Sequence, residues 1–347
     1  MTNEPFFSIV IPTYNRAELL KATITITLQQ SFKDFEIIIS NNCSTDHTKE
    51  VAKSFKDKRI RYFENKKNIG AEQNYKKVMS YARGKYIFSL GDDDFVLYED
   101  TLEKIKRLLD KKHYGFIRLN LIERKLIGKG LQKNIINVEH DIEIQKDAQP
   151  EKIINFFWAI GAGHIAGLVI KNYKGLSSQF LTFPEIPWIK IIYNNTKMHG
   201  AFYIADLYMI ITWSMGGILT HYDPREDNRF MFEEYIDFVF SIIPKKDISD
   251  YRLRYFQKYI THQPVIKLYS SNRNLILFDK RLFQLEPRLK QNISFWLFFS
   301  IAFLVPKTIW KLVRVIQHRK KNKLKELKNK EKIFNKFNFL YSKYYAI

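Results

Sequence analysis

One cysteine, Cys43, serves the whole chain of 347 residues. No intrachain disulfide can form, and neither a cysteine-rich zinc site nor a disulfide scaffold is available; a reducing, cytosolic setting is the expectation. The N-terminus, MTNEPFFSIVIPTYN, lacks the basic n-region and long apolar h-region of a signal peptide, and 6–11 reads as a buried strand, so export is not expected. No G-x-G-x-x-G follows that strand and no G-x-x-x-x-G-K-[ST] occurs, which leaves a dinucleotide fold and a P-loop NTPase unsupported. Acidic residues are scarce, 36 against 57 Lys and Arg, giving a formal charge of +21. Such an excess favours polyanions: nucleic acid, anionic lipid or phosphorylated substrates.

Apolar, β-branched or aromatic runs recur at 7–11, 35–39, 60–63, 85–90 and 115–119. Between them, apolar residues stand three and four apart: Leu19, Leu20, Ile24 and Leu28, then Val78 and Tyr81, then Leu102, Ile105 and Leu109. Strands alternating with helices predict βαβ units, an α/β fold with a largely parallel sheet covered on both faces. In such sheets ligands bind beyond the carboxyl ends of the strands. Three polar loops follow strand ends: PTYNR at 12–16, NNCSTD at 41–46 and GDDD at 91–94. Right-handed connections bring all three to one edge. The triplet Asp92, Asp93 and Asp94 is costly unless something positive sits among the carboxylates. A divalent cation carrying a phosphorylated ligand is one candidate, since Mg²⁺ uses one or two carboxylates plus substrate phosphates; a solvated acidic turn is the other.

From Lys125 to Pro150 the pattern loosens into a long polar excursion, before GAGHIAGLVI at 161–170 returns to strand-like composition. From Glu226 the chain reads as helical. The apolar run 293–305 would span ~20 Å as a helix against a ~30 Å hydrocarbon core, too short to cross unaided. After it, Ile309, Leu312, Val313 and Ile316 share a helical face with Lys311 and Arg314 off it, and HRKKNKLKELKNKEK comes next. About thirteen Lys and Arg against Glu326 and Glu331 place roughly half of the net charge in the tail 307–347. An apolar wedge, an amphipathic basic helix and a polybasic run over 293–325 read as an interfacial anchor on an anionic membrane. A buried helix followed by a solvated basic one is the alternative.

The ordered set FSIVIPTYNR, FEIIISNNCSTD and NIGAEQNYKKVMSYARGKYIFSLGDDD resembles the family-2 glycosyltransferases of GT-A type. Within that family it is most similar to sugar transferases that build bacterial O-antigen or capsule repeat units. The resemblance covers about the first 120 residues strongly and extends weakly to about residue 215. It implies a GT-A-like, Rossmann-type, mostly parallel sheet with helices on both faces over 1–225 and a helical, membrane-associating region over 226–347. It further implies that Pro12, Thr13, Tyr14 and Arg16 cradle the nucleotide of a nucleotide-diphosphate sugar, with Asp46, Gly70 and Asn74 in the same binding region. Asn42 falls where the family has an aspartate contacting the base: the common DDGS is Asn41-Asn42-Cys43-Ser44 here. An amide can donate and accept, so it can read a uracil or thymine edge or signal a different base; a UDP-sugar is the first choice. Gly91 stands at the family's first acidic position, while Asp93 and Asp94 match the pair that contacts ribose and metal. Asp94 is the first choice as ligand to Mg²⁺ or Mn²⁺, Asp92 a second, and Asp93 serves ribose or metal.

Lys76, Lys77 and Arg83 could supply charge to a diphosphate, though each reads more naturally as a surface residue. For the catalytic base the resemblance points to Glu185, in SSQFLTFPEIPWIKII, with Asp206 and Asp223 as competitors and without the family's usual Glu-Asp pair. His164 and His221 read as ordinary polar residues. Taken together, the resemblance and the tail imply a metal-dependent inverting transfer to a glycan acceptor carried on a polyprenyl diphosphate, by a peripheral protein on the inner face of the cell membrane. A nucleic-acid-binding protein would explain the charge, but the basic residues concentrate beside the apolar wedge and no recognition motif is present. A noncatalytic membrane-bound scaffold and a metal-dependent nucleotidyltransferase stay open as alternatives.

Overall fold

The computed structural model describes residues 4–124, 131–134, 136, 138–180, 188–211, 233–257 and 286–306, with short pieces at 276, 279–280, 282–284, 308–309, 333, 335–337, 339–340 and 343. Two compact units divide the chain, one of 1–213 with 326–347 and one of 214–325.

The first unit is built on one sheet. In chain order its elements are β1 (Phe7–Thr13), α1 (Ala17–Leu28), β2 (Phe35–Asn41), α2 (Thr48–Ser54), β3 (Ile60–Glu64), α3 (Ala71–Ser80), β4 (Tyr86–Ser89), β5 (Phe95–Val96), α4 (Thr101–Lys111), β6 (Phe116–Arg124), β7 (Leu131–Asn134), β8 (Ile142–Ile144), α5 (Pro150–Ala159), β9 (Leu168–Lys171), α6 (Ile189–His199) and β10 (Ala201–Ile211). The strand order is β3-β2-β1-β4-β9-β6-β10-β5, with β7 on β6 and β8 on β10. The runs at 7–11, 35–39, 60–63, 85–90 and 115–119 become β1 to β4 and the start of β6. β2 and β4 are buried at every residue and β1 at all but Pro12, as a sheet covered on both faces requires. Helix α4 shows the sequence logic plainly: Leu102, Ile105 and Leu109 are buried on one face, while Arg107 pairs with Glu103 at 3.1 Å on the other.

β1 to β4 are mutually parallel. β9 runs antiparallel to both β4 and β6, a mixed element inside an α/β sheet that alternation alone did not foretell. Connectivity explains it. The excursion after β6 forms β7 and β8 and then α5, and it delivers the chain to the carboxyl edge, so the next strand must run downward. Because β9 reverses between them, β4 and β6 point the same way. β10 is parallel to β6, so the carboxyl ends of β1 to β4, β6 and β10 share one edge. The register of β10 slips between Ile204 and Tyr208; Asn120 Nδ2 holds the bulge by donating to the Ala205 carbonyl at 2.9 Å. From 326–347, Phe337 stacks on Phe95 with centroids 6.4 Å apart and Lys336 Nζ lies 2.8 Å from Glu99 Oε1.

In the second unit the described helices are Glu233–Ile242, Ile248–Gln257 and Ile293–Leu304. The last is capped by Asn292, whose side chain accepts from the Phe295 N–H at 3.0 Å. It buries Phe295 and Ala302 and leaves Ile293, Leu297, Ile301 and Leu304 exposed, a row at spacings of four, four and three along one face. No described helix is long and apolar enough to cross a membrane. Most of the basic stretch expected to come after it, 310–325, lies outside the described residues.

Candidate active site

Three loops meet at the carboxyl edge. Pro12 and Thr13 end β1, with Pro12 level with Ser40 and Thr13 with Asn41, and Tyr14 and Arg16 carry the chain into α1. The Arg16 guanidinium reaches across to the loop after β4: Nη1 lies 2.5 Å from Asp93 Oδ2 and 3.5 Å from Asp92 Oδ1. Burial first, then the Asp93 charge, pushes the Asp92 carboxyl up to about 7, with Arg16 and the buried Thr13 hydroxyl partly offsetting both. Helix α1 clamps the same turn, since the Thr23 hydroxyl lies 3.0 Å from both the Asp92 and the Asp94 carbonyl oxygens.

The structure gives a steric reason for a glycine at position 91. A β-carbon built on Gly91 would fall on Asp94 Oδ2, far inside van der Waals contact, and 3.3 Å from Asp93 Oδ1. The Asp94 carboxylate thus fills the space that a side chain at position 91 would need. Its backbone N–H closes the turn onto the Gly91 carbonyl at 3.3 Å. Oxygen donors of like charge with one guanidinium among them suit a hard divalent cation completed by ligand phosphates. No group of three or more His, Cys, Asp or Glu among the described residues is arranged to hold a metal on its own.

Beside the carboxylates, the edge of β1 and β2 carries amides. Asn42 is 3% exposed; its Oδ1 accepts from the Ile69 N–H and from Asn65 Nδ2, each at 3.0 Å, and its Nδ2 donates to Asn68 Oδ1 at 2.8 Å. Asn74 on α3 accepts from the Ser40 hydroxyl and Asn65 Nδ2 and donates to the Ser40 carbonyl, so it ties α3 to β2. Gly70 precedes α3 at φ +84°, a left-handed conformation that glycine adopts freely, and its N–H is held by Asn68 Oδ1. Asp46 joins two helix starts: Oδ2 accepts from the Ala17 N–H at 3.0 Å and Oδ1 from the Thr48 N–H and hydroxyl. These bonds hold its carboxyl below the ordinary value against the opposing effect of burial. Lys77 donates to Asn65 Oδ1 at 2.7 Å. Arg83 sits with Glu36 and Ser8 near the amino ends of the strands, away from this edge.

The other wall contains a residue that sequence reasoning passed over. Arg118 on β6 is fully buried, and its guanidinium donates to the carbonyls of Ile160, Gly161, His164 and Ala166. Burial draws its pKa down to about 9, still well above neutrality. The one available signal was an arginine in the middle of an apolar strand. Its loop abuts β4, because the Gly167 N–H donates to the Ser89 carbonyl at 2.9 Å. His164 is neutral, its pKa pulled to about 3 by desolvation and then by Arg118. Its Nδ1 accepts from the Ala166 N–H at 3.2 Å. Glu185 and Asp223 lie outside the described residues, as does His221. Asp206 is exposed on the β10 bulge.

Residues 8–195, more than half of the chain, match the family model described as Glycosyl transferase family 2. A Campylobacter jejuni GalNAc(5)-diNAcBac-PP-undecaprenol beta-1,3-glucosyltransferase is 34% identical over 142 residues, 38% of this chain and 45% of that protein. The abequosyltransferase RfbV of Salmonella typhimurium is 37% identical over 110 residues, 30% of this chain and 33% of that protein. The chain thus spans less than half the length of either relative. The crystal structure of S. aureus TarS 1-349 in complex with UDP-GlcNAc resembles this fold with a TM-score of 0.52 at 13% identity, over 98% of this chain and 91% of that one.

Proposed function

Because this chain belongs to glycosyl transferase family 2, we propose that it moves a sugar from a nucleoside diphosphate sugar to a glycan hydroxyl in bacterial surface polysaccharide synthesis. The observation that carries the reading is the meeting of Arg16 with Asp92 and Asp93 at the carboxyl edge of β1 and β4, where an open α/β sheet binds its ligand. Asp94 and Asp92 would hold a divalent cation, Mg²⁺ or Mn²⁺, whose chemistry is to neutralise charge on the departing nucleoside diphosphate. Arg16, released from Asp93, pairs with the diphosphate; Thr23 keeps the carboxylate turn in place; and Pro12, Thr13 and Tyr14 line the nucleoside side. Transfer is inverting. The acceptor oxygen bonds to the anomeric carbon as the bond to the diphosphate oxygen breaks, and a carboxylate, with Glu185 the first choice, takes the hydroxyl proton.

Product analysis tests this. With sugar donor, acceptor and Mn²⁺, the wild-type chain should release a nucleoside diphosphate, and Asp94→Ala should slow release by at least about 100-fold. Undiminished release in the variant would remove the carboxylates from the chemistry, and pyrophosphate as product would identify a nucleotidyltransferase.

The acceptor is carried on a polyprenyl diphosphate, as the name of the Campylobacter relative states for that protein, and the chain works peripherally at the inner face of the cell membrane. Support comes from the exposed row Ile293, Leu297, Ile301 and Leu304, followed in sequence by the polybasic run: apolar area and positive charge together are what an anionic lipid surface retains. Leu297→Asp with Ile301→Asp should weaken binding to phosphatidylglycerol vesicles at least about tenfold, read by co-sedimentation. Vesicle binding unchanged in the double variant would show that this row is not the contact.

A further inference from the structure

The carboxylate turn is tied to the fold more closely before Asp94 than after it. Upstream lies β4, paired on both sides, and just beyond it the Leu90 N–H donates to the Val10 carbonyl at 3.1 Å. The Thr23 hydroxyl then meets the Asp92 and Asp94 carbonyls. Downstream the chain passes directly from Asp94 into β5 at Phe95. That strand has two residues and ends the sheet, and among the described residues β10 is its one strand partner, with Phe95 level with Ile210 and Val96 with Met209. A strand this short, bonded along one edge, fixes little by itself.

What completes the hold comes from the far end of the sequence, within the same unit. Ile333, Phe337 and Leu340 are at most 1% exposed and stand four and three apart, the buried stripe of a helical segment. The Phe337 ring lies 6.4 Å from the Phe95 ring, centroid to centroid, with planes 10° apart, and Phe95 is itself fully buried. The neighbouring ion pair is the lesser part of this seam. Lys336 Nζ and Glu99 Oε1 are 2.8 Å apart, but the glutamate side chain is 56% exposed, and such a pair contributes little. Beside it a cavity of about 960 Å³ opens between Tyr98, Asp100 and Phe339. Two close-packed buried rings pass a displacement on; a solvated pair beside an open cavity does not.

Given the reading of the carboxylates as the site for a cation and a nucleoside diphosphate, we propose that Phe337 is a positioning residue of the transferase. Acting through Phe95, it holds the 92–94 turn at the spacing that cation and diphosphate require. The segment 333–340 is thereby part of the catalytic unit and not an appendage of the polybasic run that precedes it in sequence.

Two readings on the full chain test this. One is affinity for nucleoside diphosphate with Mn²⁺ by isothermal titration, with UDP, CDP, GDP, dTDP and ADP as probes; the other is nucleoside diphosphate release from the corresponding sugar donors across a series of Mn²⁺ concentrations. Both are taken at a temperature where circular dichroism shows each variant folded. Phe337→Ala should weaken nucleotide binding at least about tenfold and raise the Mn²⁺ concentration for half-maximal rate by a similar factor, because a small displacement at a reacting centre is amplified. Phe337→Leu keeps most of the apolar volume and should fall between Ala and wild type, about threefold from the latter; where Ala fails to fold, Leu decides. Phe339→Ala, exposed on the same segment, should match wild type. A contact that serves stability alone would lower Tm and leave nucleotide affinity and Mn²⁺ dependence unchanged in the folded variants. That result, or an equal loss in Phe339→Ala, would overturn the inference while leaving the transferase reading intact. A wild-type chain that binds none of the five nucleotides and releases none would remove that reading and the inference with it.

Discussion

Gly91→Asp, which supplies the acid that the family resemblance implies at this position, should abolish transfer rather than improve it. The reason is steric. The space beside the Gly91 α-carbon is occupied by the Asp94 carboxylate, and that turn is pinned from the other side by Thr23, so the newcomer and Asp94 cannot both keep their places. Thr23 belongs to α1, and Val10 of β1 accepts the Leu90 N–H at 3.1 Å; neither can give way without moving the sheet edge. Asp94 is the group that must leave. A displacement of about 1 Å in a charged group at a reacting centre costs on the order of 100-fold in rate, and here the group is a first-choice cation ligand. The expected result is a fall in kcat/KM of at least about 100-fold for Gly91→Asp and a similar fall for Gly91→Ala. The Ala variant isolates sterics from charge, and circular dichroism should show both folded. Activity of Gly91→Asp at or above wild type would mean that Asp94 is not the carboxylate that matters.

Arg118→Met should unfold the first unit at markedly lower temperature. Methionine matches the length of the apolar stem but leaves the carbonyls of Ile160, Gly161, His164 and Ala166 without the donors they now share. A buried carbonyl stripped of its partner costs about 1–3 kcal/mol, with some relief where water can enter. The expected loss is about 3–5 kcal/mol, a drop of roughly 10 °C in Tm for a unit of this size. Arg118→Lys should recover only part of it, because an ammonium cannot address four carbonyls in the planar fan of a guanidinium. Differential scanning calorimetry of the three proteins decides the matter. A shift under about 2 °C in Arg118→Met would show that the loop at 160–166 is held by other contacts, among them the Trp188 indole donating to the Ala162 carbonyl at 2.9 Å.

The alternation of apolar runs with helical periodicity was enough to place β1 to β4 and to predict that 12–16, 41–46 and 91–94 share an edge. That inference needs only right-handed crossovers and side-chain period, both local or nearly so. The antiparallel β9 was not legible, because strand direction depends on which edge of the sheet the preceding excursion reaches. Arg118 was not legible either. Its partners are backbone carbonyls more than forty residues away, and a carbonyl leaves no mark in a residue code.

By itself the sequence determined the class of chemistry through its ordered motifs, FSIVIPTYNR, FEIIISNNCSTD and SLGDDD, and the family they resemble; the three carboxylates alone left a cation site and a solvated turn both open. The tertiary structure decided what each group is free to do. Asn42, read as an amide that could donate or accept, accepts from Ile69 and Asn65 and donates to Asn68 within the fold. Asp46 and Asn74 were expected among the nucleotide contacts; in the fold Asp46 joins the starts of two helices, and Asn74 ties a helix to β2. Gly91, a missing acid in the sequence, proved to be the room in which Asp94 sits. A sequence records which donors and acceptors exist; only the fold determines which are already satisfied, because hydrogen bonding saturates and the partners come from distant parts of the chain.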